Sequence, residues 1–161
     1  MLKTAVKKNL AIIGAGGHGK VCADIAIKMK QWNKIVFLDD NAAIQNALGL
    51  AVIDKATNVE NYIKDYDLFI AIGDNAQRGK VHLILREMGA SFATLIHPTA
   101  IINEQVEIGA GTVIMAGAII NSNTKIGSGC IINTAATIDH DNVIGDFVHI
   151  SPGTHLAGTV K

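Results

Sequence analysis

An imidazole lies between two carboxylates in the run Asp139-His140-Asp141-Asn142, in a stretch of chain with few other titratable groups. A histidine titrates near neutral pH, and a carboxylate that orients its ring and stabilises the imidazolium makes it an effective general base. Adjacent strand residues point to opposite faces, so only one of Asp139 and Asp141 can reach the ring, and turn geometry decides which. The residue types predict proton transfer at His140; a plain polar turn is the alternative.

A glycine-rich segment near the start of the chain indicates a second chemistry, the binding of an anion. The segment Gly14-Ala15-Gly16-Gly17-His18-Gly19 has the G-x-G-x-x-G spacing, and Asp39 lies twenty residues after Gly19. Such glycines let the backbone approach a diphosphate, and the following helix N-terminus supplies unpaired N–H groups. We expect a mononucleotide diphosphate, because residues 1–95 are too few for the two halves of a dinucleotide fold. A tight turn without a ligand is the alternative.

The second part of the chain repeats every six residues. Ile or Leu recurs at eleven consecutive positions from Ile96 to Leu156, and four residues after each comes a small or β-branched residue, except at Asn142. A period of six suits a coil of three short strands joined by tight turns, whose rungs bury their apolar side by stacking. The pattern predicts a parallel β-helix over residues 96–161; an Ile-rich β-sandwich is the alternative. His149 and His155 then occupy equivalent sites on successive faces, either lining a groove between subunits or decorating the surface.

The first part of the chain alternates strand and helix patterns, which predicts a small Rossmann-like parallel α/β domain over residues 1–95. A charged start that resembles a signal peptide runs into the glycine-rich turn without a cleavage site, so it is interpreted as leading into a first strand. Predicted strands are Leu10–Ile13, Ile35–Leu38, Leu68–Ile72 and Phe92–Leu95; predicted helix faces are Cys22, Ile25, Ala26, Met29 and Val81, Ile84, Leu85, Met88; Thr57-x-x-Glu60 is a predicted capping box.

Composition supports this division and excludes several classes of function. Residues 1–95 hold twelve Lys or Arg and nine Asp or Glu, whereas residues 96–161 hold two and five. The zero net charge argues against nucleic acid as a partner, and no segment is long and apolar enough for membrane insertion. Cys22 and Cys130 lie in apolar patterns of different halves, which favours buried thiols and a cytoplasmic location.

Several motifs together resemble the sialic acid O-acetyltransferase-like family. They are GAGGHG at 14–19, LDD at 38–40, IGDN at 72–75, HPTA at 97–100, and DHD followed by VIGDFVHISPGTHLAG. The chain looks most like the bacterial members that acetylate a UDP-4-amino-4,6-dideoxy sugar on the route to bacillosamine, and the match covers essentially the whole chain. This resemblance implies a left-handed β-helix, acetyl-CoA as acetyl donor, and a homotrimer with active sites between neighbouring coils.

The resemblance also implies roles for individual residues. His140 corresponds to the catalytic base, and Asp141 stands where the family commonly has the longer glutamate. The backbone N–H of Gly158 is placed to stabilise a thioester oxyanion, and no metal is expected. The implied binding residues are Gly16, Gly17 and His18 for the sugar diphosphate, Asp39 and Asp40 for uridine, Gly73 for a further substrate contact, and His149 and Gly158 for acetyl-CoA.

The predicted function is therefore N-acetyl transfer from acetyl-CoA to the amino group of a UDP-amino sugar. The alternatives are O-acetylation of sialic acid or a related sugar hydroxyl, a nucleotide-sugar-binding module without catalysis, and a zinc β-helix enzyme with His140, His149 and His155 as ligands. An NAD dehydrogenase is disfavoured, because no second domain holds a substrate. Members of the family continue for several more coils that supply much of the acetyl-CoA groove, so we expect the β-helix to be truncated after Lys161 or covered there by another chain.

Overall fold

The computed structural model describes residues 8–161 of the chain; residues 1–7, with most of the start that resembles a signal peptide, lie outside the described part. The first unit follows the predicted alternation of strand and helix. Its elements are β1 (Asn9–Ile13), α1 (Gly17–Met29), β2 (Ile35–Leu38), β3 (Asn46–Ala47), β4 (Leu50–Asp54), a 3₁₀ helix (Ala56–Tyr62), β5 (Tyr66–Ile70) and α2 (Asn75–Glu87).

The five strands of this unit form one sheet in the order β3-β4-β2-β1-β5. Strands β4, β2, β1 and β5 are parallel, and only the short β3 pairs antiparallel, with β4. Strand β1 lies between β2 and β5, so β2, β4 and β3 extend the sheet on one side of β1 and β5 extends it on the other. This arrangement opens a crevice beyond the carboxyl ends of the strands, where α/β sheets bind ligands. Gly14, Asp39 and Gly73 all follow strands at that edge.

Four details of the first unit differ from the predictions. Strand β5 begins two residues earlier than expected, and the hairpin β3–β4 is absent from the predicted elements. The predicted capping box is wrong, because Lys55 precedes a 3₁₀ helix without a side-chain cap, and Thr57 donates its hydroxyl to Asp40 instead. The helix α2 is confirmed, but its predicted apolar face is only partly buried, since Ile84 is 49% exposed while Leu85 is buried.

The second unit is a left-handed parallel β-helix built from two-residue strands. In each strand the repeated Ile or Leu is the second residue and points into the coil, which confirms the hexad prediction. Of the predicted strand Phe92–Leu95, Phe92 forms only a bridge with Leu68, and Leu95 begins the first strand of the coil. The strands are β6 (Leu95–Ile96), β7 (Ile101–Ile102), β8 (Glu107–Ile108), β9 (Val113–Ile114), β10 (Ile119–Ile120), β11 (Lys125–Ile126), β12 (Ile131–Ile132), β13 (Thr137–Ile138), β14 (Val143–Ile144), β15 (His149–Ile150) and β16 (His155–Leu156).

The coil has three faces because strands eighteen residues apart pair with one another. The faces are the stacks β7-β10-β13-β16, β8-β11-β14 and β6-β9-β12-β15. Each turn places its residue three positions after the repeated Ile or Leu in the left-handed region, with φ between +56° and +76° from residue 105 to residue 159. Asp141 and Phe147 occupy two of these turn positions.

The two units are packed against each other through α1 and α2. The first residues of β6, β9 and β12 (Leu95, Val113 and Ile131) point out of the coil and are buried in one cluster with residues of α1. His149 pairs with Ile131 and extends this row beyond the apolar contact. Helix α2 lies over a column of stacked turns, where Gly79 approaches the ring of Phe147. Within residues 8–161 no helix has the length and apolar character needed to span a bilayer.

Candidate active site

The glycine-rich loop between β1 and α1 leaves its central backbone accessible. A Cβ on Gly19 would lie 2.0 Å from the carbonyl oxygen of Gly14, so this glycine allows the helix to pack on the strand. A Cβ on Gly16 or Gly17 would meet nothing within 4 Å. Helix α1 begins at Gly17 without a side-chain cap and without an acidic residue in its first turn. The loop therefore presents uncapped N–H groups at a helix N-terminus, which suits a phosphate group.

Asp39 and Asp40 follow β2 at the same edge of the sheet but have different contacts. Asp39 accepts hydrogen bonds from the backbone N–H of Ala15 through Oδ2 (2.7 Å) and from that of Asn41 through Oδ1 (2.8 Å), so its carboxylate holds the glycine-rich loop. Oδ1 of Asp40 accepts from both the backbone N–H and the hydroxyl of Thr57, each at 3.1 Å. Within residues 8–161 no donor contacts Oδ2 of Asp40, which is available to a ligand.

Two clefts meet at Asp40. One, of about 270 Å³, is mainly apolar and lies between α2 and the 3₁₀ helix; it is lined by Ile13, Thr57, Val59, Ile72, Val81 and Ile84. The other, of about 230 Å³, is polar and includes Asp39, Asn41 and Asp54. A flat ring needs an apolar slot with a few convergent polar groups, so the first cleft has the character of a nucleobase site.

The turn after β13 holds His140 in a defined orientation. Nδ1 of His140 lies 2.7 Å from Oδ2 of Asp141, whereas Asp139 accepts a hydrogen bond from the backbone N–H of His140 (2.8 Å). Of the two flanking acids, Asp141 is thus the one that reaches the ring, and its hydrogen bond raises the pKa of His140, with a smaller contribution from the charge of Asp139. The same bond lowers the pKa of Asp141. The pair leaves Nε2 for a substrate proton.

Gly158 lies directly against the ring of His140, one rung along the coil. A Cβ at Gly158 would be 2.8 Å from Cε1 and 2.9 Å from Nε2 of His140, so any side chain at this position would displace the imidazole. The next residue, Thr159, donates its backbone N–H to the carbonyl oxygen of His140 (3.0 Å), which ties the two turns together. No acceptor for the N–H of Gly158 is found in the described part of the chain.

Asparagine side chains hold the turn of His140 through hydrogen bonds, some along one face of the coil and some inside it. Asn103 donates to Asn121 (2.8 Å), and Asn121 donates to Asp139 (3.0 Å), so a ladder along one face of the coil fixes Asp139. Asn142 is fully buried and donates to the carbonyl oxygens of Asp139 (2.7 Å) and Ala157 (2.9 Å). This explains the exception in the hexad pattern: an amide at this corner connects the turn of His140 with the turn of Gly158.

Known proteins that resemble this chain agree with this arrangement of the two units. The family model described as the PglD N-terminal domain matches residues 9–84. UDP-N-acetylbacillosamine N-acetyltransferase of Bacillus subtilis (strain 168) is 40% identical over 108 residues, which cover 65% of this chain and 50% of that relative. The chain therefore spans about half the length of this curated relative.

Solved structures match more of the chain. The acetyltransferase domain of PglB from Neisseria gonorrhoeae FA1090 superposes with a TM-score of 0.89 at 40% identity, over 94% of this chain and 74% of that one. This chain belongs to the bacillosamine-pathway acetyltransferase family. The same PglB domain has been solved with acetyl coenzyme A. A further family neighbour is a mutant of perosamine N-acetyltransferase from Caulobacter crescentus, solved with CoA and GDP-perosamine (TM-score 0.87, 33% identity, 94% of this chain and 72% of that one).

The remaining predicted residues of this family member lie where the two units meet. His18 is mostly buried, with its Nε2 3.7 Å from Sγ of Cys22. Burial lowers the pKa of His18 to about 4, with further contributions from the charges of Arg78 and His149. His149 accepts a hydrogen bond from the amide of Asn133 (3.0 Å), and burial followed by the charge of Arg78 lowers its pKa. His18 and His149 are therefore close enough to influence each other, and burial disfavours the charged form of each ring.

The structure does not bring together the three histidines of the zinc alternative. His149 lies on the face beside α1, whereas His155 lies on another face, where its Nδ1 is 2.8 Å from the hydroxyl of Thr137. Within residues 8–161 no group of three His, Cys, Asp or Glu side chains is placed to hold a metal ion. The two cysteines, Cys22 and Cys130, are both buried free thiols, as predicted.

Arg78 and His82, on α2, were missed in the sequence. Arg78 is 1% exposed and His82 is 3% exposed. The ring of His82 stacks on Phe92 (3.9 Å between centroids) and makes a T-shaped contact with Phe147. The apolar pattern of α2 predicts a buried face that includes Val81 and Ile84. Arg78 is not part of that pattern, because a charged side chain is seldom buried without a partner. The available signal was the spacing of Arg78, His82 and Leu85, which marks the true buried face.

Proposed function

We propose that this chain transfers the acetyl group of acetyl-CoA to the amino group of a UDP-4-amino-4,6-dideoxy sugar, with His140 as the general base and Asp141 as its orienting partner. The observation that carries the proposal is the bond between Nδ1 of His140 and the Asp141 carboxylate at 2.7 Å, beside the backbone of Gly158. This is the arrangement of a base with its orienting acid, next to an N–H that can stabilise an oxyanion.

The reaction follows from these groups. The neutral sugar amine attacks the thioester carbonyl carbon and forms the C–N bond, while Nε2 of His140 takes the proton that the nitrogen loses. The negative charge that develops on the carbonyl oxygen is stabilised by the N–H of Gly158. When the C–S bond breaks, the coenzyme A thiolate leaves and takes a proton from the imidazolium. Asp141 stabilises that imidazolium and fixes the tautomer in which Nε2 accepts.

Three features support a nucleotide sugar as the acceptor. The open backbone at Gly16 and Gly17 suits the diphosphate, and the apolar cleft beside Asp40 suits a nucleobase. Gly73, at the same edge of the sheet, is open to solvent for a further contact, since a Cβ there would meet nothing within 4 Å. The B. subtilis relative is named for a UDP sugar, and the C. crescentus structure contains a GDP sugar.

The contacts of Asp40 favour uridine over guanosine. One carboxylate oxygen is already bonded twice to Thr57, which leaves Oδ2 for a base. Uracil offers a single N–H on its pairing edge, and one oxygen accepts it. Guanine offers adjacent N–H and NH₂ donors, which a carboxylate binds best with both oxygens. We therefore assign the base as uracil.

His149 and Gly158 are the proposed contacts to acetyl-CoA, as the family resemblance implies, and the PglB domain has been solved with this donor. The proposed assembly is a homotrimer, supported by the coil face that the first unit leaves uncovered, where Ile101 is 52% exposed. A cytoplasmic location is consistent with the free thiols of Cys22 and Cys130. Light scattering on the purified chain tests the trimer.

Acetyl transfer to a panel of acceptors tests the function. The chain is incubated with acetyl-CoA and, separately, with a UDP-4-amino-4,6-dideoxy sugar, GDP-perosamine, free sialic acid or no acceptor, and release of coenzyme A is measured. Turnover with the UDP-amino sugar well above the others is expected. Preference for sialic acid would establish O-acetylation instead, and preference for GDP-perosamine would overturn the assignment of uracil. Binding of UDP without turnover on any acceptor would leave a binding module.

A further inference from the structure

A buried cation lies between the two units and has no carboxylate partner within residues 8–161. The guanidinium of Arg78 is bonded entirely to neutral acceptors: Nε donates to the carbonyl oxygen of Gly129 (2.7 Å), Nη1 to those of Ile72 (2.9 Å) and Gly73 (3.1 Å), and Nη2 to that of Phe147 (2.8 Å) and to the side chain of Asn75 (2.7 Å). Burying a charge is costly unless its hydrogen bonds are satisfied, and here each nitrogen has a partner.

The acceptors belong to two different parts of the molecule. Ile72 and Gly73 form the loop between β5 and α2, at the edge where the nucleotide sugar is proposed to bind. This loop packs against the glycine-rich loop, since a Cβ on Gly14 would lie 3.0 Å from the carbonyl oxygen of Ala71. Gly129 and Phe147 are stacked turn residues of the coil, eighteen positions apart.

The turn at Phe147 leads directly into β15, whose first residue is His149. One side chain therefore bonds the substrate loop at Gly73 and the coil turn that precedes the proposed acetyl-CoA contact. The charge of Arg78 is also felt at both His18 and His149. A lysine in its place offers its donors from a single nitrogen and cannot span acceptors on both sides, whereas the planar guanidinium can.

We infer that Arg78 is a positioning residue, which holds the loop of Ile72 and Gly73 against the coil and so sets the nucleotide-sugar site relative to His149. Arg78 itself touches no reacting atom. The inference rests on the proposed function for the identity of the ligand, but its geometric part concerns only the protein.

The test compares Arg78→Lys with two matched variants, using UDP as the probe. Arg86→Lys makes the same change on an exposed position of α2. His82→Leu weakens the same contact between α2 and the coil through Phe92 and Phe147, but His82 bonds neither Ile72 nor Gly73. Calorimetry measures UDP binding, thermal unfolding measures stability, and hydrogen–deuterium exchange reports on residues 72–73 and 147–149.

Arg78→Lys should weaken UDP binding by about tenfold, the factor that corresponds to losing one charge-assisted hydrogen bond, and should speed exchange in both segments. His82→Leu should lower the melting temperature but retain UDP affinity, and Arg86→Lys should change neither. If Arg78→Lys does not fold, Asn75→Ala removes one acceptor of the guanidinium and should weaken UDP binding by about threefold with the same exchange pattern.

Unchanged exchange at residues 72–73 and 147–149 in a folded Arg78→Lys or Asn75→Ala variant would overturn the inference. So would an Arg78→Lys variant that matches His82→Leu, with lower stability and full UDP affinity. If the unaltered chain does not bind UDP, the proposed acceptor is wrong, and the exchange measurement alone then decides whether Arg78 positions the loop.

Discussion

The turn of His140 and the junction around Arg78 shift the pKa values of their histidines in opposite directions. The first is an exposed turn at which carboxylates raise the pKa of His140. The second, defined here as Arg78 and His82 of α2 with the coil turns at Gly129 and Phe147, is buried; His18 and His149 lie beside it, and burial and the charge of Arg78 lower their pKa values. One region therefore suits the proposed proton acceptor, and in the other burial and a fixed cation disfavour the charged form of both rings.

The difference indicates a division of labour between chemistry and placement. In the turn of His140 the important contacts are exposed, so changing them should affect the rate and leave the fold intact. In the junction the contacts are buried and join the two units, so changing them should affect stability or ligand position. Each prediction below tests one side of this comparison.

Replacing His140 should give the largest effect. His140→Ala removes the proposed proton acceptor, and acetyl transfer should fall by about 10² to 10⁴-fold, the usual contribution of a general base. The melting temperature should stay unchanged, because the side chain is exposed and the turn is held by Asn142 and Asp139. The measurements are the rate of coenzyme A release at saturating acceptor and thermal unfolding of the same preparation. An undiminished rate would remove His140 from the base role.

Replacing Gly129 tests the junction and should act on stability. In Gly129→Ala the new Cβ would lie 2.5 Å from the ring of Phe147, at a φ of +62°. Overpacking and the left-handed backbone together should lower the free energy of unfolding by about 3 kcal/mol. Gly153→Ala is the matched control, since Gly153 has a φ of +65° and open space around its Cβ position; it should cost only about 1 kcal/mol. Equal losses in denaturant unfolding would show that the junction is not tightly packed.

Local patterns in the sequence predict most of the fold, because the period of the apolar residues is set by the local geometry. The hexads from Ile96 to Leu156 require only that each rung repeat the one before it, and every strand of the coil follows them. The hairpin β3–β4 was missed although Leu50–Ile53 is a short apolar run; β4 pairs with β2, and no residue of the strand is fully buried. The prediction of a capping box at Thr57 is wrong because the Thr57 hydroxyl donates a hydrogen bond to Asp40, which is distant in the sequence.

The geometry of the candidate site could be predicted where its contacts are local and not where they depend on long-range packing. The sequence around His140 indicates a base and an acid, but only the left-handed turn at Asp141 determines that this acid, and not Asp139, reaches the ring. Arg78 has acceptors 51 and 69 positions away in the chain, at Gly129 and Phe147, and no local pattern encodes them. Asn142 stood out in the hexad pattern, yet its function depends on the stacking of the next rung.

Removing the orienting carboxylate should have a smaller effect than removing the base. Asp141→Asn replaces the carboxylate that raises the pKa of His140 with a neutral amide, so that pKa should fall toward 6.5. Since the reaction needs neutral His140, the rate is lost as pH falls through its pKa, and the acid limb of the pH–rate profile should therefore move to lower pH. The plateau should fall by about tenfold, because a neutral amide stabilises the imidazolium less and no longer fixes the tautomer in which Nε2 accepts.

Asp139→Asn is the control for this change. An asparagine retains an acceptor for the backbone N–H of His140, so the turn should keep its shape, and only the weaker influence of the charge is lost. The acid limb should shift less than in Asp141→Asn, with the plateau retained. A larger shift in Asp139→Asn would mean that Asp139 is the partner of the ring in the working enzyme.

The smallest effect concerns His18, on the buried side of the comparison. Its pKa is lowered from 6.5 to about 4, first by burial and then by Arg78 and His149. As pH falls below 6.5, His18 becomes protonated in the unfolded chain, whereas in the folded chain it stays neutral until about pH 4. Protonation therefore favours the unfolded chain in this window, and the stability present above pH 6.5 is lost as pH falls through it. His18→Gln removes this proton uptake and should reduce the acid loss by about 1 kcal/mol between pH 7.5 and about pH 5.8. Urea unfolding at both pH values measures it. An equal acid loss in both proteins would place His18 in contact with water, and the junction would then be less closed beside the glycine-rich loop than its contacts indicate.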